Sequence, residues 1–202
     1  FELTLTRLFA VAQFYHFALM AISVALLGSG AAGSLLTIWP RLSKRIGLWS
    51  AGFTLTTVGS YAILNLIPFD SYAIAWDSSQ VLYLILTFLG ATLPFLCTGV
   101  VIGGLLAEDP DHLHRTYAAN LIGSALGCVI ALPLLSSIGA EGAMLAAAAM
   151  GLLAGLLFAM SDSGRRRLLR MSIAAAGAGV LLVLAILRPE WIALRLSPYK
   201  AL

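Results

Sequence analysis

Charge is what this sequence has least of. Of its 202 residues only 12 are Lys or Arg and 9 are Asp or Glu, so 10% are charged against 60% hydrophobic. Ordinary soluble domains carry about 25% charged residues, and so few polar groups cannot cover a globule of this size. The shortage excludes an ordinary water-soluble fold and makes a lipid bilayer the expected partner. Cysteine is scarce too. Cys97 and Cys128 both lie inside apolar runs, where they act as small hydrophobes and supply neither a disulfide framework nor a CxxC-type metal site. The net charge of +3 does not form the dispersed patch of a nucleic-acid binder, and no nucleic-acid partner is expected. No run alternates apolar and polar residues with the two-residue period of a β-barrel.

What the sequence does hold is long apolar runs. A bilayer core about 30 Å thick needs about 20 apolar residues rising 1.5 Å each. Runs of that order cover 14–38, 48–68, 81–106, 117–137, 142–160 and 171–187. Backbone groups in lipid must bond within their own segment, which favours helices. The expected fold class is therefore all-α, a polytopic transmembrane bundle of about six helices. Residues 1–188 form the membrane domain and 189–202 a juxtamembrane tail. Chain is expected beyond both ends.

Charge in the connections sets orientation. Arg41, Lys44 and Arg45 follow the first run, Arg115 the third, and Arg165, Arg166, Arg167 and Arg170 the fifth, all on one side. Connections on the other side carry Asp70, Asp77 and Glu141 and no Lys or Arg. The basic side is the cytoplasmic one. Six crossings then return Arg188, Arg195 and Lys200 to the side of Phe1, away from the cytoplasm.

Glycine occurs 19 times, often at four-residue spacing: Gly99 with Gly103, Gly123 with Gly127, and Gly151 with Gly155. Small residues at this spacing let helices approach closely, so all six are expected at helix contacts. Polar residues at membrane depth are candidates for function. Gln13, His16 and Asn120 are candidate cavity-lining, ligand-binding positions. Set against that, Asn120 suits a cross-helix hydrogen bond, Asn65 suits backbone freed by Pro68, and Glu2 with Arg7 suits an interfacial ion pair. His112 and His114 lie in a charged, solvated loop, and no metal site is read there. Gly28-Ser29-Gly30-Ala31-Ala32-Gly33 has GxGxxG spacing but sits inside an apolar run, without the strand and trailing acid of a dinucleotide fold; helix packing explains it. Ser34, Ser124 and Ser136 have no base in any recognisable motif. No catalytic residue is assigned.

Three stretches carry a resemblance. The first is Glu2-Leu3-x-Leu5-Thr6-Arg7-Leu8-Phe9, then Tyr15-His16-Phe17-Ala18 and Ala21-Ile22-Ser23-x-Ala25-Leu26-Leu27-Gly28. The second is Tyr117-Ala118-Ala119-Asn120-Leu121-Ile122-Gly123-Ser124-Ala125-Leu126-Gly127-Cys128, and the third Leu196-Ser197-Pro198-Tyr199-Lys200-Ala201-Leu202. Together they resemble the membrane domain of bacterial integral-membrane spermidine synthase-like proteins. The resemblance implies a transporter-like helical domain, in the bacterial cytoplasmic (inner) membrane, that anchors or feeds a soluble C-terminal aminopropyltransferase-like domain outside this chain. It implies decarboxylated S-adenosylmethionine as cofactor of that absent domain, and none in this chain. Asn120 stands where the resemblance leads one to expect an aspartate, which weakens any contact there with a cationic amine. Separately, Gly33-Ser34-Leu35-Leu36-x-x-Trp39-Pro40-Arg41-Leu42-x-Lys44-Arg45-Ile46-Gly47 resembles the basic loop of major facilitator transporters, without its acidic residue. That implies one helix before Phe1, about seven in the full module, and a C-terminal domain on the outer side, where a nucleotide-derived cofactor is scarce. Two further readings stand beside this one: a transporter-like module for a small, cationic amine solute, and a structural subunit packed against other protein subunits of a membrane complex.

Overall fold

The apolar runs fold as helices, and their ends are set by residues that cannot continue one. The computed structural model describes residues 1–12, 17–67, 69–70, 73–108, 110–161 and 167–187. Among them the chain is an all-α bundle of α1 (Glu2–Ala12), α2 (Ala18–Ile38), α3 (Ile46–Leu66), α4 (Ser79–Glu108), α5 (Leu113–Ser161) and α6 (Arg167–Leu187). Short 3-10 turns occupy Pro40–Arg45, Ala73–Ala75 and Pro110–His112, and no strand is present among the described residues. Pro40 stops α2, because the residue before a proline is pushed out of the helical region; Trp39 sits at φ −127° while its N–H still reaches Leu35 O at 2.8 Å. Ile67, extended at ψ 119°, closes α3 in the same way, with its N–H on Ile63 O.

The helices match the expected runs with one difference. The runs at 117–137 and 142–160 are the two helical arms of α5, which meet at Gly139, whose φ of 72° is the only positive glycine value among the described residues. Glycine tolerates that conformation because it has no Cβ. Two helical arms, 113–138 and 140–161, therefore meet at a turn and do not continue as one rod.

The difference is α1, a helix absent from the expected set. Its Leu5, Leu8 and Phe9 share one face by their three- and four-residue spacing and are fully buried. They belong to one buried cluster with Ala21 and Val24 of α2, Tyr61 of α3, Ala91 of α4, Met144 and Leu145 of α5, and Ala185 of α6. The short helix itself packs chiefly on α2 and α5. The ring of Phe1 lies 4.9 Å from Phe95 and edge-on to Phe53, joining the same core.

Glycine sets the close contact between α2 and α4. A Cβ added at Gly28 would stand 2.6 Å from Phe95 Cβ and 2.7 Å from Thr92 O, and one at Gly99 would stand 2.7 Å from Ala32 Cβ. No side chain fits in those gaps, so the two backbones approach as small residues allow. The outer surface is apolar: Leu26, Leu55 and Val129 are each about 70% exposed, with many large aliphatic neighbours. Water does not favour such a surface. Three helical stretches, Ala18–Ile38, Ser79–Glu108 and Pro110–Met160, are long and apolar enough to cross a membrane, the last containing the Gly139 break. The last of these holds two of the expected runs, joined at Gly139, while Met171–Leu187 is a shorter apolar helix. One end of the bundle brings together the basic turn at Arg41, Lys44 and Arg45 and the C-terminal end of α4, where Ser43 packs on Gly104. The other end holds Asp70 and Asp77.

Candidate functional site

Hydroxyl groups behave in two ways in this molecule. Most Ser and Thr side chains near the surface donate to their own helix, as with Ser34 to Gly30 O (3.2 Å), Thr37 to Gly33 O (3.0 Å) and Thr56 to Gly52 O (2.7 Å). That is the ordinary local solution for a hydroxyl in a helix. Those on one face of α3 do otherwise. Ser50, Thr54, Thr57, Ser60 and Tyr61 follow one another at spacings of four, three, three and one, which places them on one stripe, and all five are buried. Thr54 donates across to Ala148 O on α5 at 2.8 Å. Ser60 donates across to Gly90 O on α4 at 2.5 Å. Ser50 Oγ and Thr57 Oγ1 are buried with no hydrogen-bond partner.

The Ser60 bond has a covalent cause. Pro94, inside α4 and fully buried, has no N–H to offer the carbonyl four residues earlier, which is that of Gly90. An unpaired carbonyl in an apolar interior is costly. Ser60 supplies the missing donor from the neighbouring helix, as happens for broken backbone in membrane helices. Gly151 and Gly155 of α5 face the same stripe. A Cβ at Gly151 would lie 2.6 Å from Thr54 Oγ1 and 3.2 Å from Ser50 O, and one at Gly155 would lie 3.7 Å from Ser50 Cβ. The second arm of α5 therefore meets the hydroxyl face of α3 through glycines.

At the acidic end, Asp77 organises the start of α4. Its Oδ1 accepts from Ser79 N (3.0 Å) and Ser79 Oγ (2.6 Å), and its Oδ2 from Gln80 Nε2 (3.1 Å). These bonds, the Ser79 hydroxyl first, hold the Asp77 carboxyl below its ordinary value, because each favours the charged form. Gln80, buried, also accepts from Asp70 N at 2.9 Å and so ties the preceding segment to α4. Beneath this end lies a small cavity among Phe9, Phe17, Met20, Leu64, Phe69 and Thr87, of about 10 Å³, room for roughly one water molecule. Glu141, beside the Gly139 break, is near enough for its charge to act on Tyr61.

The expected site residues do not assemble. Gln13 and His16 lie outside the described residues. Asn120 is half-buried on the first arm of α5 and makes no cross-helix hydrogen bond among the described residues. Glu2 and Arg7 are both exposed on α1, but a separation of five residues turns them about 140° apart around the helix, and no ion pair joins them. Four of the six expected packing glycines meet a neighbouring helix. Gly99 and Gly103 face Ala32 and Leu36 of α2, and Gly151 and Gly155 face α3. Gly123 and Gly127 do not, since a Cβ at either would meet nothing within 4 Å. The arm that carries them is exposed on nearly every side. Of the GxGxxG-spaced glycines only Gly28 is in contact, against α4, while Gly30 and Gly33 are open. No group of three or more His, Cys, Asp or Glu side chains stands close enough to hold a metal among the described residues.

The hydroxyl stripe was not singled out from the sequence, although its spacing was readable there. No protein-family model, no curated protein and no solved structure matches this chain.

Proposed function

We propose that this chain is the membrane-embedded helical module of a spermidine synthase-like protein of the bacterial cytoplasmic membrane, anchoring or feeding an aminopropyltransferase-like soluble domain. The observation that carries this reading is the run of matching motifs at 2–28, 117–128 and 196–202. The apolar exterior and the separation of basic and acidic ends agree with a bilayer-spanning orientation. Decarboxylated S-adenosylmethionine would be bound by the soluble domain, and no residue of this module is assigned to it. The test uses the full gene product in washed membranes supplied with decarboxylated S-adenosylmethionine and putrescine. Spermidine formation that disappears when the soluble domain is deleted supports the reading. Its absence in membranes where the protein is shown to be folded overturns it.

A second reading, a transporter-like module for a small cationic amine, is favoured by the buried hydroxyl face of α3 and by connections at one end that carry Asp70, Asp77 and Glu141 without Lys or Arg. Its test is uptake of labelled putrescine or spermidine into proteoliposomes under an imposed gradient. Uptake no greater than in protein-free liposomes removes it.

A further inference from the structure

We infer that the hydroxyl face of α3 lines a water path through the bundle, closed in this structure and opened by movement of the second arm of α5 away from α3. The inference rests on the membrane placement proposed above. Ser50 Oγ and Thr57 Oγ1 carry it. These side chains are 3% and 0% exposed, neither has a hydrogen-bond partner, and hydroxyls elsewhere in the same fold do find one on their own helix. A hydroxyl buried without a partner is costly, and the cost is removed if a second arrangement of the helices hydrates it.

The geometry gives that arrangement a route. From Ser50 to Tyr61 the stripe runs about 16 Å along α3, roughly half the thickness of a bilayer core. Ser50 begins it one turn inside the basic end, four residues after Ile46, and Tyr61 ends it within reach of the Glu141 charge. Opposite Ser50 and Thr54 stand Gly151 and Gly155, which present no side chain there to interlock with α3. Gly139, held at positive φ, terminates that arm and is where its direction can change. The Thr54 to Ala148 bond crosses from the stripe to α5, and water can replace it. The Ser60 to Gly90 bond crosses to α4, so α3 and α4 remain tied while α5 moves. The path admits water and, by the same chemistry, small solutes that exchange hydrogen bonds with hydroxyls.

The test is cysteine accessibility in the full gene product in native membranes, on a Cys97→Ala, Cys128→Ser background. Ser50→Cys and Thr57→Cys are compared with Leu55→Cys, which faces outward from the same helix, and with Lys44→Cys in the basic turn. The reagent is a membrane-impermeant methanethiosulfonate, which attacks the thiolate and therefore needs water at the thiol. Modification of positions 50 and 57 at about ten times the Leu55 rate or faster supports the path, because a thiolate forms far more readily where water reaches it. Rates at 50 and 57 no greater than at 55 overturn it. Reaction of Leu55→Cys as fast as Lys44→Cys would instead overturn the membrane placement, a distinguishable result. Should Thr57→Cys not fold, amide exchange of the unsubstituted protein in lipid nanodiscs decides the matter. Faster exchange over residues 50–60 than over 24–32 of α2 supports the path, and equal protection overturns it.

Discussion

Two helix faces carry glycines at the same four-residue spacing and have opposite surroundings. On α4, Gly99 and Gly103 meet Ala32, Ser29 and Leu36 of α2, and Gly28 answers from the other side against Phe95 and Thr92. On the first arm of α5, Gly123 and Gly127 meet nothing within 4 Å. Spacing of small residues thus states that a helix is able to approach another closely, and the topology decides whether one is there. α2 and α4 lie side by side, whereas the 113–138 arm is exposed along nearly its whole length.

Substitutions at these faces separate the cases. Gly28→Leu is expected to have the largest effect, a loss of about 3 kcal/mol or more, since a side chain there runs into the backbone of α4 and overpacking against backbone has no cheap relief. Thermal unfolding of the purified protein in detergent would show it. The same change at Gly127 is expected to stay within about 0.5 kcal/mol. An equal loss at both positions would mean the 113–138 arm is packed after all. Gly151→Ala falls next, at about 1–3 kcal/mol, because the new methyl meets Phe53 and Thr54 Oγ1 at 2.6 Å and displaces the Thr54 to Ala148 bond. Gly103→Ala should cost less than Gly151→Ala, since its contact is the flexible end of Leu36.

Smaller still is the difference between two hydroxyls of α3. Thr54→Val, which removes a bond between helices, is expected to cost about 0.5–1.5 kcal/mol, while Thr56→Val, whose bonds to Gly52 and Phe53 carbonyls stay within one helix, should be close to neutral. Thermal unfolding of the two single variants side by side checks the difference. Last comes pH. The folded pKa of Asp77 lies below its ordinary 3.8, so its contribution is fully present above that value and is lost as pH falls through the folded one. Asp77→Asn should therefore flatten the acid-side decline in stability below about pH 4 and should leave the pH dependence above that range unchanged.

The helical bundle was readable because lipid-length apolar runs bounded by charge and proline leave the backbone little alternative. Five of the six helices coincide with those runs, and the break near 139 was expected as a gap between two of them. α1 was not read because Glu2, Thr4, Thr6 and Arg7 lower its hydropathy, although Leu5, Leu8 and Phe9 carry the helical spacing that buries it. The candidate site was less readable. Attention to strongly polar and ionisable residues singled out Gln13, His16 and Asn120, whereas the unsatisfied buried side-chain groups among the described residues are hydroxyls at Ser50 and Thr57, which are common in membrane helices and ordinarily need no partner beyond their own turn. Gly123 and Gly127 misled for a different reason: sequence spacing contains no information about what lies across a face.

Pro94 and Ser60 stand on different helices and share a single carbonyl, that of Gly90. An ordinary residue at 94 would restore an N–H to that oxygen and make the hydroxyl at 60 redundant, whereas losing the hydroxyl first would strand the oxygen. Descent through this fold therefore has a preferred order of events: the proline can be given up alone, and the serine only after it.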